Sequence, residues 1–494
     1  MTKTEKPAGS ARHILVLAPN PFENDARIRK QIESLLSHGY VVTVLATREK
    51  GAPAATRTSD ALHVYRLDEA REHTSSSVPV WLENDTIGPL GERFRADFAA
   101  FAEMRRSYDL ARHAVKLARL LDYVRCLPNT RATRRVAFKD ALKLMRDGMT
   151  ANMPDSFRVH RSIYFLLSAW RFVEIDGGLK ARIAQVGPPD LVHGHDLFTA
   201  PAAIEIARLY GAKAVYDAHE YEPERNPPMT EAQRAHVVEL EDRVIARIDG
   251  LITVGRSIRD LYRERHPGVT CRLIFNCPEI RGEGGAVRSL HERAQVAADV
   301  PIIAYIGMVT VGSRGLQVTL DALQSVPDAV LAVIGPRRKQ ADAELLDAAE
   351  RAGLSDRIRL LDPVAPNEVV PTIADATASV CLIQPTTLSY RFAQPNKLFE
   401  SALAGVPVIG SDLPDIAAFL REFDAGLVVD QSDPSAIAEA MRAIIADRDA
   451  YVPTPEQRAA LVDQYSWEAQ ERTLLDLYAS LIDGDQAAGA AAGA

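Results

Sequence analysis

An α/β fold of two doubly wound, Rossmann-like domains facing a central crevice is predicted by three observations. Short apolar runs alternate with helical patterns over most of the chain. The alternation occurs in two successive series, and a charged stretch rich in Pro and Gly separates them.

The first series opens on HILVLAP, a strand, followed by the helical pattern ARIRKQIESLLSHG and the strand YVVTVLAT, with Gly39 placed as the helix stop. The βαβ pattern returns at DLVHGHD, helical PAAIEIARLYG and strand AKAVYDAHE, then at a long helix ending near Asp249 and the strand GLITVG. In RLIFNCPEIRGEGGAVRSL the segment after Glu279 reads as a linker, so the boundary is placed near residue 285, with a first domain over 1–285. The second series runs PIIAYIG, helical LQVTLDALQSV, strand AVLAVIG, helical DAELLDAAERAG, strands RIRLLD and ASVCLIQ, helix NKLFESALAG and strand VPVIGS, within a second domain over 286–465. The last residues, 484–494, are low in complexity and expected to fray. The segment from about 85 to 180 breaks the pattern. It reads as a helical insert in which Glu103 to Arg171 carry fifteen Lys or Arg against six Asp or Glu. Its stretch RSYDLARHAVKLARLLDYVRCL is amphipathic and fits a solvated helix packed on its own domain. The competing reading is a peripheral membrane contact, since basic side chains near anionic lipid contribute about 1 kcal/mol each.

Composition narrows the function classes. A chain of 494 residues is too long for one core, and 47% hydrophobic with 25% charged residues excludes disordered and collagen-like classes. A net charge of -8 argues against nucleic acid as a partner. The polar start MTKTEKPAGSARH carries no apolar run for export, and IYFLLSAWRFV is too short to span a bilayer and contains Arg171. The expectation is a cytoplasmic protein, peripheral at the inner face of the membrane if the insert binds lipid. Cys126, Cys271, Cys277 and Cys381 are scattered with no CxxC pair, which fits reduced, buried thiols and no zinc site.

Open α/β sheets bind ligands beyond the carboxyl ends of their strands, so the chemistry is sought there. A diphosphate needs backbone N–H groups and a cation, and two segments offer both. In YIGMVTVGSRGLQ a strand ends at Gly307, and a loop with Gly312, Arg314 and Gly315 opens a helix. Arg314 could grip a diphosphate in a forked geometry, while the glycines have an equally good conformational reading. In LSYRFAQPNKLFESALAG, Pro395 opens a helix, and Arg391 and Lys397 add positive charge. Asn396 and Glu400 share one face, where a carboxylate could accept hydrogen bonds from ribose hydroxyls. The bland alternatives are a solvated lysine and a structural glutamate. In the first domain VHGHD places His193, His195 and Asp196 at one strand end, and YDAHEYEPE places Asp217, His219 and Glu220 at the next. These are candidates for the acceptor side. As metal ligands their spacing matches no zinc pattern.

Taken together, NDARIRKQIESLLSHGYVVTVLA, DLVHGHD, VYDAHE, LIFNCPE, GSRG and above all PNKLFESALAGVPVIGSDLPDI resemble glycosyltransferase family 4, retaining sugar transferases of GT-B fold. YSWEAQERTLLDLYASL is similar to the family's terminal helix, so 466–483 is expected to pack back on the first domain. The resemblance implies that Arg314 and Lys397 bind the diphosphate, Glu400 the ribose, and that His195 lines the reaction centre. It implies a nucleotide-diphosphate-sugar as co-substrate and no bound metal or other cofactor, while the basic insert suggests a saccharide or lipid-linked acceptor of surface polysaccharide or glycolipid synthesis. Two positions depart from the pattern. Phe392 stands where many members have the earlier of two glutamates, and Met308 where many have an arginine. A sugar-nucleotide epimerase of the same fold and a catalytically idle binding subunit are the competing readings.

Overall fold

The computed structural model describes residues 11–47, 52–53, 55–57, 59–67, 178–280 and 287–492. The basic insert up to residue 177, with Cys126, and the boundary near residue 285 lie outside them.

The first sheet has eight strands: β1 (His13–Leu17), β2 (Val41–Thr47), β3 (Ala55–Arg57), β4 (Leu62–Leu67), β5 (Leu191–His195), β6 (Lys213–Ala218), β7 (Gly250–Thr253) and β8 (Cys271–Leu273). Their spatial order is β3-β4-β2-β1-β5-β6-β7-β8, parallel throughout except for the edge strand β3. The second sheet has six parallel strands: β9 (Ile302–Ile306), β10 (Val330–Ile334), β11 (Ile358–Leu361), β12 (Ala378–Cys381), β13 (Val408–Ser411) and β14 (Gly426–Val429). Its order is β11-β10-β9-β12-β13-β14. Each sheet is buried on both faces. Leu15 and Leu17 of β1 join one apolar cluster and Ile14 and Val16 another, and the same division separates Ile303 and Tyr305 from Ala304 and Ile306 in β9. That is why the strands read as continuous apolar runs in the sequence.

The order reverses between β1 and β5 in the first sheet and between β9 and β12 in the second. A crevice opens beyond the strand ends at each reversal, because the connecting helices leave toward opposite faces.

Local chemistry fixes the helices beside these openings. Helix α1 (Ala26–Ser37) is capped by Asp25, whose carboxylate accepts from the amides of Arg27 at 3.1 Å and Ile28 at 3.2 Å. It buries Ile28, Ile32 and Leu35 and ends at Gly39, with φ 78°. Helix α2 (Asp196–Tyr210) starts directly after β5, five residues before the proline expected to open it. Pro201 lies inside the helix and forgoes one backbone bond, while Thr199 Oγ1 donates to His195 O at 2.6 Å and closes the first turn. Helix α3 (Arg256–Arg265) follows β7, α4 (Leu316–Leu323) follows Gly315, and α5 (Asn396–Leu403) is entered through Pro395 at its N-cap. Helix α6 (Pro414–Phe423) follows β13, and α7 (Trp467–Ala492) closes the chain. The terminal segment expected to fray continues α7 to Ala492, in keeping with the helix propensity of its alanines.

Candidate active site

The first-domain half of the site begins with period two. His193 and His195 are two apart on β5, share one face, and stack with ring centroids 4.3 Å apart. Register brings Asp217 of β6 beside His195. Arg27 of α1 reaches the same point and donates to Asp217 Oδ2 through Nε at 2.9 Å and to Oδ1 through Nη2 at 2.8 Å. Gln31 Nε2 donates to Oδ2 at 2.9 Å. Burial alone would raise the Asp217 carboxyl, but the Arg27 charge and hydrogen bonds from His193 and His195 hold it well below the usual range. His193, His195, Asp217 and Arg27 are buried. His193 and Asp217, expected on the acceptor side, are as buried as His195 itself and pack beside it.

His195 Nδ1 lies 3.1 Å from His219 Nε2 and 3.4 Å from Asp217 Oδ2. An Nδ1 proton satisfies both neighbours, whereas a lone pair there would face the carboxylate, so the partners assign the proton to Nδ1. Nε2 is then a bare acceptor, and it is buried without a hydrogen-bond partner. Burial, followed by the neighbouring His193, pushes His195 down to about 3, too low for a general base near neutrality.

His193, His195 and Asp217 also stand close enough together to suggest a cation site. The donor set argues otherwise, since both carboxylate oxygens are held by the Arg27 guanidinium. Around this core sit Asp196, in the left-handed region at φ 60° and 3.7 Å from His219, and Glu220, whose burial pushes its carboxyl up.

The second-domain half lies where β9 ends. Gly307 has φ 117°, and a side chain on Gly335 of the next strand end would collide with its carbonyl. Gly315 has φ 76°, and a Cβ there would collide with Leu382. Gly312 meets no such constraint, with nothing within 4 Å of an added Cβ. The loop so formed carries Arg314, in the electrostatic neighbourhood of Tyr390 and Tyr305.

From α5, Lys397 enters the same space. It is 5% exposed, its Nζ has no hydrogen-bond partner, and it lies 3.7 Å from the centroid of the Tyr305 ring. Burial pulls its ammonium down to about 8, and Arg314 adds to the effect. Asn396 is the first residue of α5, and Glu400 lies one turn on. Burial pushes Glu400 up to about 7, against the pull of Lys30 and Lys397. Lys30 belongs to α1. Its Nζ donates to Asn276 Oδ1 at 3.0 Å and to the Cys277 carbonyl, over the Trp467 ring. Cys277 and Cys381 are buried free thiols, with burial pushing Cys381 up to about 11.

The two halves meet directly. The Tyr221 amide donates to Ser389 Oγ at 3.0 Å, and the Ser257 amide and hydroxyl donate to Asp415 at 3.1 and 2.6 Å. Phe392 packs against the first-domain core. Sequence reasoning missed Arg27, Gln31, Lys30, Tyr305 and Asp415. Arg27, Lys30 and Gln31 stood within a quoted motif, and their polar spacing of three and four was the available signal.

Residues 25–274 match the family described as a glycosyl transferase 4-like domain, and residues 300–447 the family described as glycosyl transferases group 1. The D-inositol 3-phosphate glycosyltransferase of Corynebacterium urealyticum is 25% identical over 311 residues, 59% of this chain and 72% of its own length. Its counterpart in Corynebacterium glutamicum (strain R) is 23% identical over 326 residues, 61% of this chain and 74% of its own. Among solved structures, sucrose-phosphate synthase from Thermosynechococcus elongatus is similar with a TM-score of 0.64 at 16% identity, over 96% of this chain and 100% of that one. Anabaena HepE in complex with UDP-glucose gives a TM-score of 0.56 at 12% identity, over 95% and 100%.

Proposed function

The chain belongs to the glycosyltransferases that join a 4-like domain to a group 1 domain, and from that premise we propose that it transfers a sugar from a nucleoside diphosphate donor to an acceptor hydroxyl with retention of configuration. One observation carries the reading: a buried ammonium, Lys397, has no hydrogen-bond partner and shares with Arg314 the crevice end of the second sheet. Two cations there would neutralise a leaving diphosphate as charge develops on it. Glu400 would accept from ribose hydroxyls, and the bare Nε2 of His195 from a hydroxyl of the transferred sugar.

Because His195 is too weak a base, the acceptor proton is assigned to the donor's own phosphate, on the face from which that phosphate leaves. The sugar would then keep its anomeric configuration, which the proton coupling at C1 of the product reads directly. No resident metal enters this scheme, so chelation by EDTA should leave turnover unchanged. The acceptor is placed on the first-domain wall at Asp196, His219 and Glu220. A lipid-linked or polysaccharide acceptor and a membrane contact through the basic insert complete the proposal. Pull-down on anionic liposomes that weakens with salt would support that contact.

The donor is tested first by thermal shift of wild type and Arg314→Ala with UDP, GDP and ADP, since a ligand of the native state raises its stability. HepE was solved with UDP and UDP-glucose, which makes uracil the first base to try. Stabilisation of wild type by one of them, abolished by the substitution, is expected. No shift for any of the three at millimolar ligand would sink the donor assignment.

A further inference from the structure

Tyr305 touches Lys397 and the loop that carries Arg314. Its side chain is 0% exposed, its ring face lies 3.7 Å from Lys397 Nζ, and its hydroxyl donates to Met308 O, on the loop that carries Arg314, at 2.8 Å. An aromatic face attracts an ammonium without neutralising its charge. A carboxylate in the same place would hold Lys397 as firmly, but would occupy one or more donors and cancel the charge. The hydroxyl does complementary work on the loop, which it holds at Met308, six residues before Arg314.

Resting on the donor reading above, we propose that Tyr305 is the positioning residue of the diphosphate site, its ring presetting Lys397 without cancelling its charge and its hydroxyl fixing the loop that carries Arg314.

The charged and titratable groups facing Lys397 are Arg314 on the loop, Cys381 on β12 and Glu400 on its own helix. The first disfavours the ammonium, the others favour it, and the ring adds an attraction that only an aromatic residue supplies. Replacing the ring by an aliphatic side chain keeps the burial and removes that attraction, so the ammonium would lose its proton at lower pH.

The test is calorimetric binding of UDP, GDP or ADP, whichever binds wild type, across pH 6 to 10 for wild type, Tyr305→Phe and Tyr305→Leu. Tyr305→Leu is expected to weaken binding about tenfold and to shift the basic limb, near pH 8 in wild type, to lower pH. Tyr305→Phe is expected to leave that limb in place and to weaken binding about threefold, through the loop alone. Unchanged affinity in both variants overturns the proposal. Weaker binding by Tyr305→Leu with an unshifted limb also overturns it, because loosened packing alone gives that result. If Tyr305→Leu does not fold, Tyr305→Met fills similar space without a π face and takes its place. Wild type that binds none of the three nucleotides instead overturns the donor reading beneath.

Discussion

Arg27 and Asp217 are an ion pair with side chains 2% and 0% exposed, and such a pair is most informative when it is broken. Removing one partner strands the other charge out of water, at about 3–5 kcal/mol. Arg27→Met should therefore lower the melting temperature of the first domain by roughly 10 °C, and adding Asp217→Asn should restore part of the loss. Equal melting of wild type and Arg27→Met would show that the pair is not what holds His195. The pair also sets a sign for acid stability. The folded-state pKa of Asp217 is depressed, so its contribution is complete above the unfolded value and is lost as pH falls through the folded one, well below 3.8. Arg27→Met should accordingly flatten the acid limb of the unfolding curve below about pH 4. Nucleotide binding should follow different groups. Glu400, raised to about 7, must lose its proton to accept from ribose, and Lys397, lowered to about 8, must keep its own to meet phosphate. Affinity should rise toward pH 7, fall above pH 8, lose its acid limb in Glu400→Gln and its basic limb in Lys397→Arg. A flat profile in wild type would remove both assignments.

Helix α3 shows how an element can be completed by another domain. Its N-cap, Gly255, offers no side chain, and the cap comes from Asp415 at the start of α6, which accepts from the Ser257 amide and hydroxyl. A Cβ on Gly255 would stand 3.3 Å from both Asp415 Oδ2 and Phe392 O, so the glycine also sets how closely the domains approach. Asp415→Ala should cost about 1 kcal/mol, as for an ordinary cap. It should speed amide exchange in the first turn of α3 while leaving the rest of that helix protected. Uniform exchange before and after the substitution would mean that the contact does not survive in solution. Nothing in the sequence near Gly255 announced this, because the capping residue lies 160 positions away. The strands, by contrast, were legible where burial on both faces made them continuous apolar runs. The short edge strands β3 and β8 were missed because each is only three residues long, too short for a pattern to show. Helix α2 was read late because Pro201 suggested a start, while Asp196, which begins it at φ 60°, carries no such signal.

At the scale of the molecule, the candidate site residues could be singled out because each lies at, or within a turn of, a strand end or helix start, while their partners could not. His195, Arg314, Lys397 and Glu400 stand in short local motifs. Arg27, Lys30, Tyr305 and Asp415 acquire meaning only when two elements meet. The same holds for the closing helix. Helix α7 returns to the first domain, where Trp467, Leu474, Leu477, Tyr478 and Ile482 are buried with β1, β2 and α1. Trp467 Nε1 donates to Ser34 Oγ at 2.9 Å, and the Tyr478 hydroxyl bonds His193 Nδ1, so the helix also touches the support of His195. Five large apolar side chains at about 1.5–3 kcal/mol each amount to roughly 10 kcal/mol, comparable with the whole stability of a domain. A chain ended after Ser466 should therefore lose the cooperative melting of its first domain and expose it to proteolysis, even though every strand of that domain is intact. A chain ended after Asp483, which keeps all five side chains, should melt as the full chain does. If the shorter chain kept a folded first domain, the helix would be an accessory to the fold, and its bond to His193 could then be tested apart from stability with Tyr478→Phe.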